Sequence, residues 1–288
     1  MTGKAMPDPV TDQKAFEVFM SKDRQAEVGV FGGSGFYSFL DETEEFEVET
    51  PYGPPSDKVV IGEIGGKKVA FMPRHGRDHD LPPHMINYRA NIHAMKQLGV
   101  KYLFGPCASG SLQPHVKPGH FVICDQFVDR TRGRNDTYFD GPRTVHIAMA
   151  EPYCPDMRKV IIESAEELGI EHHKQGTVVV IQGPRFSTAA ESRWFAAQGW
   201  EVVNMTQYPE NYLAREQEIC YANISLITDY DAGLEGRPHI KPVTLEEVVR
   251  VFNENNEKIK DLLFKSIGRL TGMRKCLCSR ALKDAIIS

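Results

Sequence analysis

The amino-acid sequence predicts an α/β fold, a single domain with a central mixed β-sheet flanked by helices. Short apolar runs rich in Val and Ile alternate with stretches of helical periodicity for most of the length. No Ser/Gly linker, repeat or low-complexity tract separates them. The 288 residues, 41% of them hydrophobic, are enough to build one sizeable buried core. The domain is expected over 27–270, after a polar lead-in at 1–26 and before a tail at 271–288 that carries a C-x-C pair.

The first strand is expected at 28–31 and runs into the turn Gly32-Gly33-Ser34-Gly35. Strand-like runs at 58–62 and 68–72 flank Gly65-Gly66, a pair that favours a hairpin. A helix is predicted over 82–98, with Met85, Tyr88, Ile92 and Met95 on one face and Gly99 as its stop. Further strands are expected at 100–104, 121–124, 176–181, 201–205 and 222–228, and helices at 155–168, 189–198 and 208–216. Leu245, Val248, Val249, Phe252, Ile259, Leu262 and Leu263 recur at helical spacing, which predicts one long amphipathic helix over 244–267.

The net charge of −5, from 34 basic and 39 acidic residues without a long single-sign block, argues against a nucleic-acid or membrane-surface role. The lead-in has no apolar h-region, and no later run approaches the roughly 18 residues of a spanning helix. A cytoplasmic protein is therefore expected. Cys107, Cys124, Cys154 and Cys220 read as small buried hydrophobes. Cys276-Leu277-Cys278 falls in the basic tail, outside any obvious core; a C-x-C pair can form a labile disulfide or bind a soft metal with outside ligands, but in a reducing compartment two free thiols are expected.

Thr228-Asp229-Tyr230-Asp231 ends an apolar run and puts two carboxylates where a strand leaves the sheet. Ligands bind at such strand ends. A carboxylate beside another has its pKa raised, so one can stay protonated and donate to a ring nitrogen. The glycine turn after the first strand offers backbone N–H groups to phosphate, but no apolar helix opens there, which disfavours a dinucleotide-binding dehydrogenase. In Pro73-Arg74-His75-Gly76, Arg74 offers a bidentate fork for an oxyanion and His75 a second donor. His75, His79 and His84 also suggest a metal, yet the surrounding prolines and Gly76 argue for a loop, and no metal site is expected. Phe186 can stack on a flat heterocycle, and Met205 can lie against a sugar, although core packing is the commoner role of both residue types.

In this order, Gly-Gly-Ser-Gly, Pro-Arg-His-Gly, Gly-Pro-Arg-Phe, Asn-Met-Thr and Thr-Asp-Tyr-Asp resemble the trimeric purine nucleoside phosphorylase family. The likeness runs over about 28–267 and includes Asn87-Tyr88-Arg89-Ala90-Asn91. It implies phosphorolysis of S-methyl-5′-thioadenosine to adenine and 5-methylthioribose 1-phosphate, with a 6-oxopurine nucleoside or methylthioinosine as the alternative substrate. It implies no cofactor, phosphate being a co-substrate, and a trimer or hexamer without nucleic-acid or membrane partners. By this likeness Ser34, Arg74, His75, Thr206 and the amide of Ala108 bind phosphate, Met205 lies under the ribose, and Phe186 lies by the base. Asp229 and Asp231 face the purine edge as proton donor and amino-group acceptor. His146 reaches a neighbouring subunit's site, and Leu245, Val248 and Val249 present an apolar surface to the methylthio group. Cys107 departs from the threonine of animal relatives, leaving only a backbone contact nearby.

Overall fold

The computed structural model describes residues 24–32, 44–234, 237 and 239–287. The strand β1 (Val28–Gly32) is followed by β2 (Glu44–Phe46) and the hairpin β3 (Val59–Ile64) and β4 (Lys67–Pro73). Gly65 and Gly66 turn that hairpin at φ 57° and 75°, a region only glycine enters freely. The helix α1 (Tyr88–Gln97) then leads to β5 (Tyr102–Ser111), β6 (Phe121–Val122), β7 (Gln126–Arg130) and β8 (Thr144–Val145). The rest comprises α2 (Pro155–Glu167), β9 (His172–His173), β10 (Thr177–Ile181), α3 (Ala189–Ala197), β11 (Val202–Asn204), α4 (Gln207–Glu216) and β12 (Cys220–Asp229). Two consecutive helices, α5 (Leu245–Glu254) and α6 (Asn256–Arg269), precede the short strand β13 (Ile286–Ile287).

The sheet is mixed, as expected. β4, β1, β5 and β12 run parallel, and β7, β10 and β11 form a second parallel block. The blocks join where β11 runs antiparallel to β5, pairing Val202 with Ser111 and Val203 with Gly110. Side chains alternate across β1: Phe31 packs with Ile92 and Met95 of α1, while Val28 and Val30 pack with Ile161 of α2 and Leu262 of α6. Both faces are therefore covered, and β1 and β12 are buried throughout. Burying each such side chain is worth about 1.5–3 kcal/mol, which is why the strands read as near-continuous apolar runs. Gly29 permits the close approach of α1, since a Cβ there would lie 2.9 Å from Leu103 and 3.0 Å from the Met95 sulfur.

Four expectations need correction. The helix predicted from residue 82 begins at Tyr88, because Pro82 and Pro83 hold a turn and the Asn87 side chain caps the Ala90 N–H at 3.2 Å. Met85 accordingly lies 62% exposed. The single helix over 244–267 is two helices, broken at Asn255 (φ −112°, ψ 6°), whose amide donates to the Val251 carbonyl at 2.9 Å. The strand expected at 100–104 continues to Ser111, through Gly105 and Pro106. Cys276 and Cys278 are buried in the core on the α2 and α6 face, and Ile286 pairs with Val145, so this tail segment is docked. Among the described residues, no helix is long and apolar enough to cross a membrane.

Candidate active site

The junction between the two parallel blocks gathers the acidic pair. Pairing of β12 with β5 shifts register between Ile227 and Asp229, an irregularity that re-aims side chains at a strand end. Asp229 and Asp231 are 5% and 2% exposed. Asp229 Oδ1 accepts the Asp231 backbone N–H at 2.7 Å, and its Oδ2 accepts the Thr228 hydroxyl at 2.7 Å. Burial pushes the Asp229 carboxyl up to about 6, against these two bonds, with smaller help from the charges of Asp231 and Glu247. Burial also raises Asp231, tempered by the nearby Ser192 and Ser187 hydroxyls. The neighbouring carboxylate, expected to be the main cause, comes well after burial. Asp231 Oδ2 is buried without a hydrogen-bond partner, a position suited to accepting from a ligand.

Gly110 makes this approach possible. A Cβ there would lie 3.0 Å from Asp229 Oδ1, 3.0 Å from Val203 and 3.4 Å from the Asp231 Cβ. The α5 segment is tied to the pair through the Val243 N–H, which donates to the Asp231 carbonyl at 2.7 Å. Leu245 and Val249 on α5 are 69% and 49% exposed, and Val248 is half-buried, so none of the three is a core residue.

Arg74 sits just past β4 and is almost wholly buried. Its Nε and Nη2 donate to the two Glu210 carboxylate oxygens at 2.9 and 2.8 Å, and Nη1 donates to the Pro106 carbonyl at 2.7 Å. Burial works against the guanidinium charge, but Glu210 outweighs it and the net shift is upward. The fork expected to clamp an oxyanion is thus closed on Glu210, leaving at most the second N–H of each terminal nitrogen for a ligand. Glu210 also accepts the Tyr221 hydroxyl at 2.6 Å, and Gly105 leaves room for it, since a Cβ there would meet that hydroxyl at 1.9 Å.

His75 also differs from the expectation. Its Nδ1 lies 2.9 Å from the Leu81 carbonyl, which can only accept, so Nδ1 carries the proton. Burial pulls its pKa down to about 4, so the ring is neutral near pH 7 and Nε2 offers a lone pair rather than an N–H. The ring stacks on His79 with centroids 4.4 Å apart and planes 13° apart.

Thr206 is buried at the start of α4, where its hydroxyl makes no capping bond. Beside Ala108, the Cys107 sulfur accepts from the Asn223 and Asn204 side-chain amides at 3.3 and 3.4 Å. Met205 meets the loop after β10, for a Cβ on Gly183 would lie 2.7 Å from its sulfur. Phe186 on that loop is 42% exposed, which removes the core reading. Arg134 links the two segments by donating to the Gln182 and Met205 carbonyls, each at 2.9 Å. Ser34 lies outside the described residues. His146 is exposed, and its N–H donates to the Ala285 carbonyl at 2.8 Å, so it is joined to the tail. Sequence reasoning missed Glu210, Asn223 and Tyr221; a polar Asn223 inside an apolar strand run was the one available signal. A cavity of about 800 Å³ lined by Lys159, Arg269 and Lys275 contains none of the expected site residues.

The junction of the two parallel blocks thus holds a carboxyl with a raised pKa beside a buried, unpartnered carboxylate oxygen, a candidate site for binding and transforming a ligand. The model of the Phosphorylase superfamily matches residues 27–268, and the chain belongs to that superfamily, as a phosphorylase-type transferase. It is 52% identical over 265 residues to the S-methyl-5′-thioadenosine phosphorylase of Thermofilum pendens, covering 91% of this chain and 99% of that one. It is 50% identical over 273 residues to the purine nucleoside phosphorylase of Streptomyces coelicolor, covering 91% and 96%. Among solved structures, a methylthioadenosine phosphorylase from an antarctic soil metagenomic library superposes with a TM-score of 0.86 at 36% identity, covering 92% of this chain and 93% of that one. The methylthioadenosine phosphorylase of Schistosoma mansoni in complex with adenine gives 0.80 at 35%, covering 84% and 91%.

Proposed function

We propose that this protein catalyses phosphorolysis of S-methyl-5′-thioadenosine, giving adenine and 5-methylthioribose 1-phosphate. The observation that carries the reading is the Asp229/Asp231 pair, one carboxyl held near pKa 6 and the other with a buried, unpartnered oxygen. Breaking the N-glycosidic bond leaves negative charge on the purine and positive character at C1′. Asp229 donates its Oδ2 proton to N7 as that charge develops, and Asp231 Oδ2 accepts from the 6-amino group. Phosphate attacks C1′ and its charge stabilises the oxocarbenium-like centre.

In this scheme the Ala108 amide, the Thr206 hydroxyl, Ser34 and the remaining Arg74 N–H groups hold phosphate. His75 Nε2 accepts from a P–OH, which selects a phosphate that still carries a proton. Met205 lies under the ribose and Phe186 against the base, while Leu245, Val248 and Val249 face the methylthio group. His146 serves a neighbouring subunit of a cytoplasmic trimer or hexamer, and the phosphorylase domain spans 27–270. Phosphate is a co-substrate, and no cofactor enters the scheme.

A second reading, a 6-oxopurine nucleoside phosphorylase, is favoured by the similarity to the Streptomyces coelicolor purine nucleoside phosphorylase. The deciding experiment incubates the protein with methylthioadenosine, adenosine, inosine and methylthioinosine, with and without phosphate, and quantifies free base. Phosphate-dependent release of adenine, fastest from methylthioadenosine, is expected. Faster release of hypoxanthine supports the second reading, and release at equal rate without phosphate refutes both.

A further inference from the structure

Four cysteines that the proposed chemistry does not use meet at one point. Cys154 stands at the N-terminus of α2, Cys220 opens β12, and Cys276 and Cys278 come from the tail. Their four Sγ atoms all lie within 4.8 Å of one another. Cys276 Sγ is 3.4 Å from Cys220 Sγ and 3.6 Å from Cys154 Sγ. Sulfurs in a disulfide stand about 2.05 Å apart, so these are separate thiols. Tetrahedral thiolates at about 2.3 Å from a zinc ion lie about 3.8 Å from each other, close to the observed spacing.

We infer that Cys154, Cys220, Cys276 and Cys278 bind one Zn2+ ion as a tetrathiolate structural site that fastens the tail to the body of the domain. The surroundings suit it. Asp156 Oδ2 accepts the Lys275 and Cys276 backbone N–H groups at 3.0 and 2.9 Å, and the Cys154 N–H donates to the Tyr221 carbonyl at 2.8 Å. Three separate elements thus present preset ligands. Cys154 is the N-cap residue of α2 and makes no side-chain capping bond, so its sulfur stands at the positive end of the helix dipole. On binding, Zn2+ displaces four thiol protons to water and forms four Zn–S bonds, leaving a net charge of about −2 and moving no electrons. A closed set of four sulfurs leaves no open position for water or substrate, so the ion is structural rather than catalytic. Packing with Met157, Ile224 and Leu270 keeps the sulfurs from solvent.

The test is elemental analysis of the full chain purified under reducing conditions, combined with native and denaturing mass spectrometry and thiol alkylation. About one zinc per chain is expected, with the four thiols alkylated only after chelation or unfolding. The double variant Cys276→Ser/Cys278→Ser should lose the zinc, while Cys124→Ser, whose thiol is buried elsewhere, should retain it. A wild-type chain with less than about a tenth of an equivalent of zinc overturns the inference. So does a denatured mass short of two or four hydrogens, which reports disulfides. The wild-type measurement decides the matter even if the double variant fails to fold.

Discussion

Replacing Asp229 by Asn should make the protein more stable above pH 6 while removing the group assigned to protonate the leaving purine. The folded carboxyl titrates at about 6 against an ordinary 3.8, so the folded state binds its proton more tightly than the unfolded chain does. Stability therefore falls as pH rises through that window. At about 1.4 kcal/mol per pH unit, the difference of about 2.2 units amounts to about 3 kcal/mol of destabilisation above pH 6. An Asn keeps both local bonds: its oxygen can accept the Asp231 N–H, and its amide can donate to the Thr228 hydroxyl, which accepts equally well. It does not titrate. His75, held at about 4, contributes with the opposite sign, losing stability as pH falls from 6.5 toward 4, so the comparison must be between variant and wild type at each pH.

The assay is urea unfolding of both proteins at one chain concentration, since mass action shifts the apparent stability of any oligomer. The advantage of the variant should be about 2 kcal/mol larger at about pH 7.5 than at about pH 4.5. A difference independent of pH would refute the raised pKa and with it the proton-donor role. In activity, the same variant should lose kcat on methylthioadenosine and shift its preference toward methylthioinosine, because an amide donates to O6 but cannot protonate N7.

Glu210→Gln should cost about 3–5 kcal/mol in urea unfolding, because it strands the buried Arg74 charge; a loss under about 1 kcal/mol would show that the pair is dispensable. Gly110→Ala forces a Cβ to 3.0 Å from Asp229 Oδ1 and Val203, so it should destabilise by about 1–3 kcal/mol and move the inflection near pH 6 in kcat/KM; an unchanged profile would mean the two carboxyls do not move. Leu245→His should lower the kcat/KM ratio of methylthioadenosine over adenosine by about 10–200-fold. Leu245 is exposed, so unfolding should change by no more than about 0.5 kcal/mol, and an unchanged ratio would place it outside the 5′ pocket.

The acidic pair and the order of strand-end motifs were legible because each is a local signal: an apolar run followed at once by polar residues marks a strand end wherever it occurs. The burial that raises Asp229 was not, since it comes from β5, β11 and α5 closing around a position that looks like an exposed turn. Arg74 shows the same limit more sharply. Its partner Glu210 is 136 residues away, so a fork that sequence reasoning offers to an anion is already occupied. Boundaries failed where side-chain capping overrode periodicity, at Asn87 and Asn255. The tail was misplaced because separations of 122 residues from Cys154 and 56 from Cys220 hide any meeting with Cys276. The strand β2 was missed because Glu44-Glu45 reads as solvated charge, which is how an edge strand protects itself.

The two glycines of β5 divide the labour of the site in a way that bears on how such a sequence can drift. Gly105 yields its space to the Tyr221 hydroxyl and the Glu210 carboxylate, while Gly110 yields its space to Asp229 and Val203. A side chain at either glycine cannot be absorbed without a matching retreat in another element, so these two positions of the strand are nearly frozen. Leu245 and Val249 stand exposed on α5, where exchange disturbs little packing. Divergence within this architecture therefore has an inexpensive direction, the helix rim proposed to meet the 5′ substituent, and libraries aimed at new nucleosides belong there rather than on these two glycines.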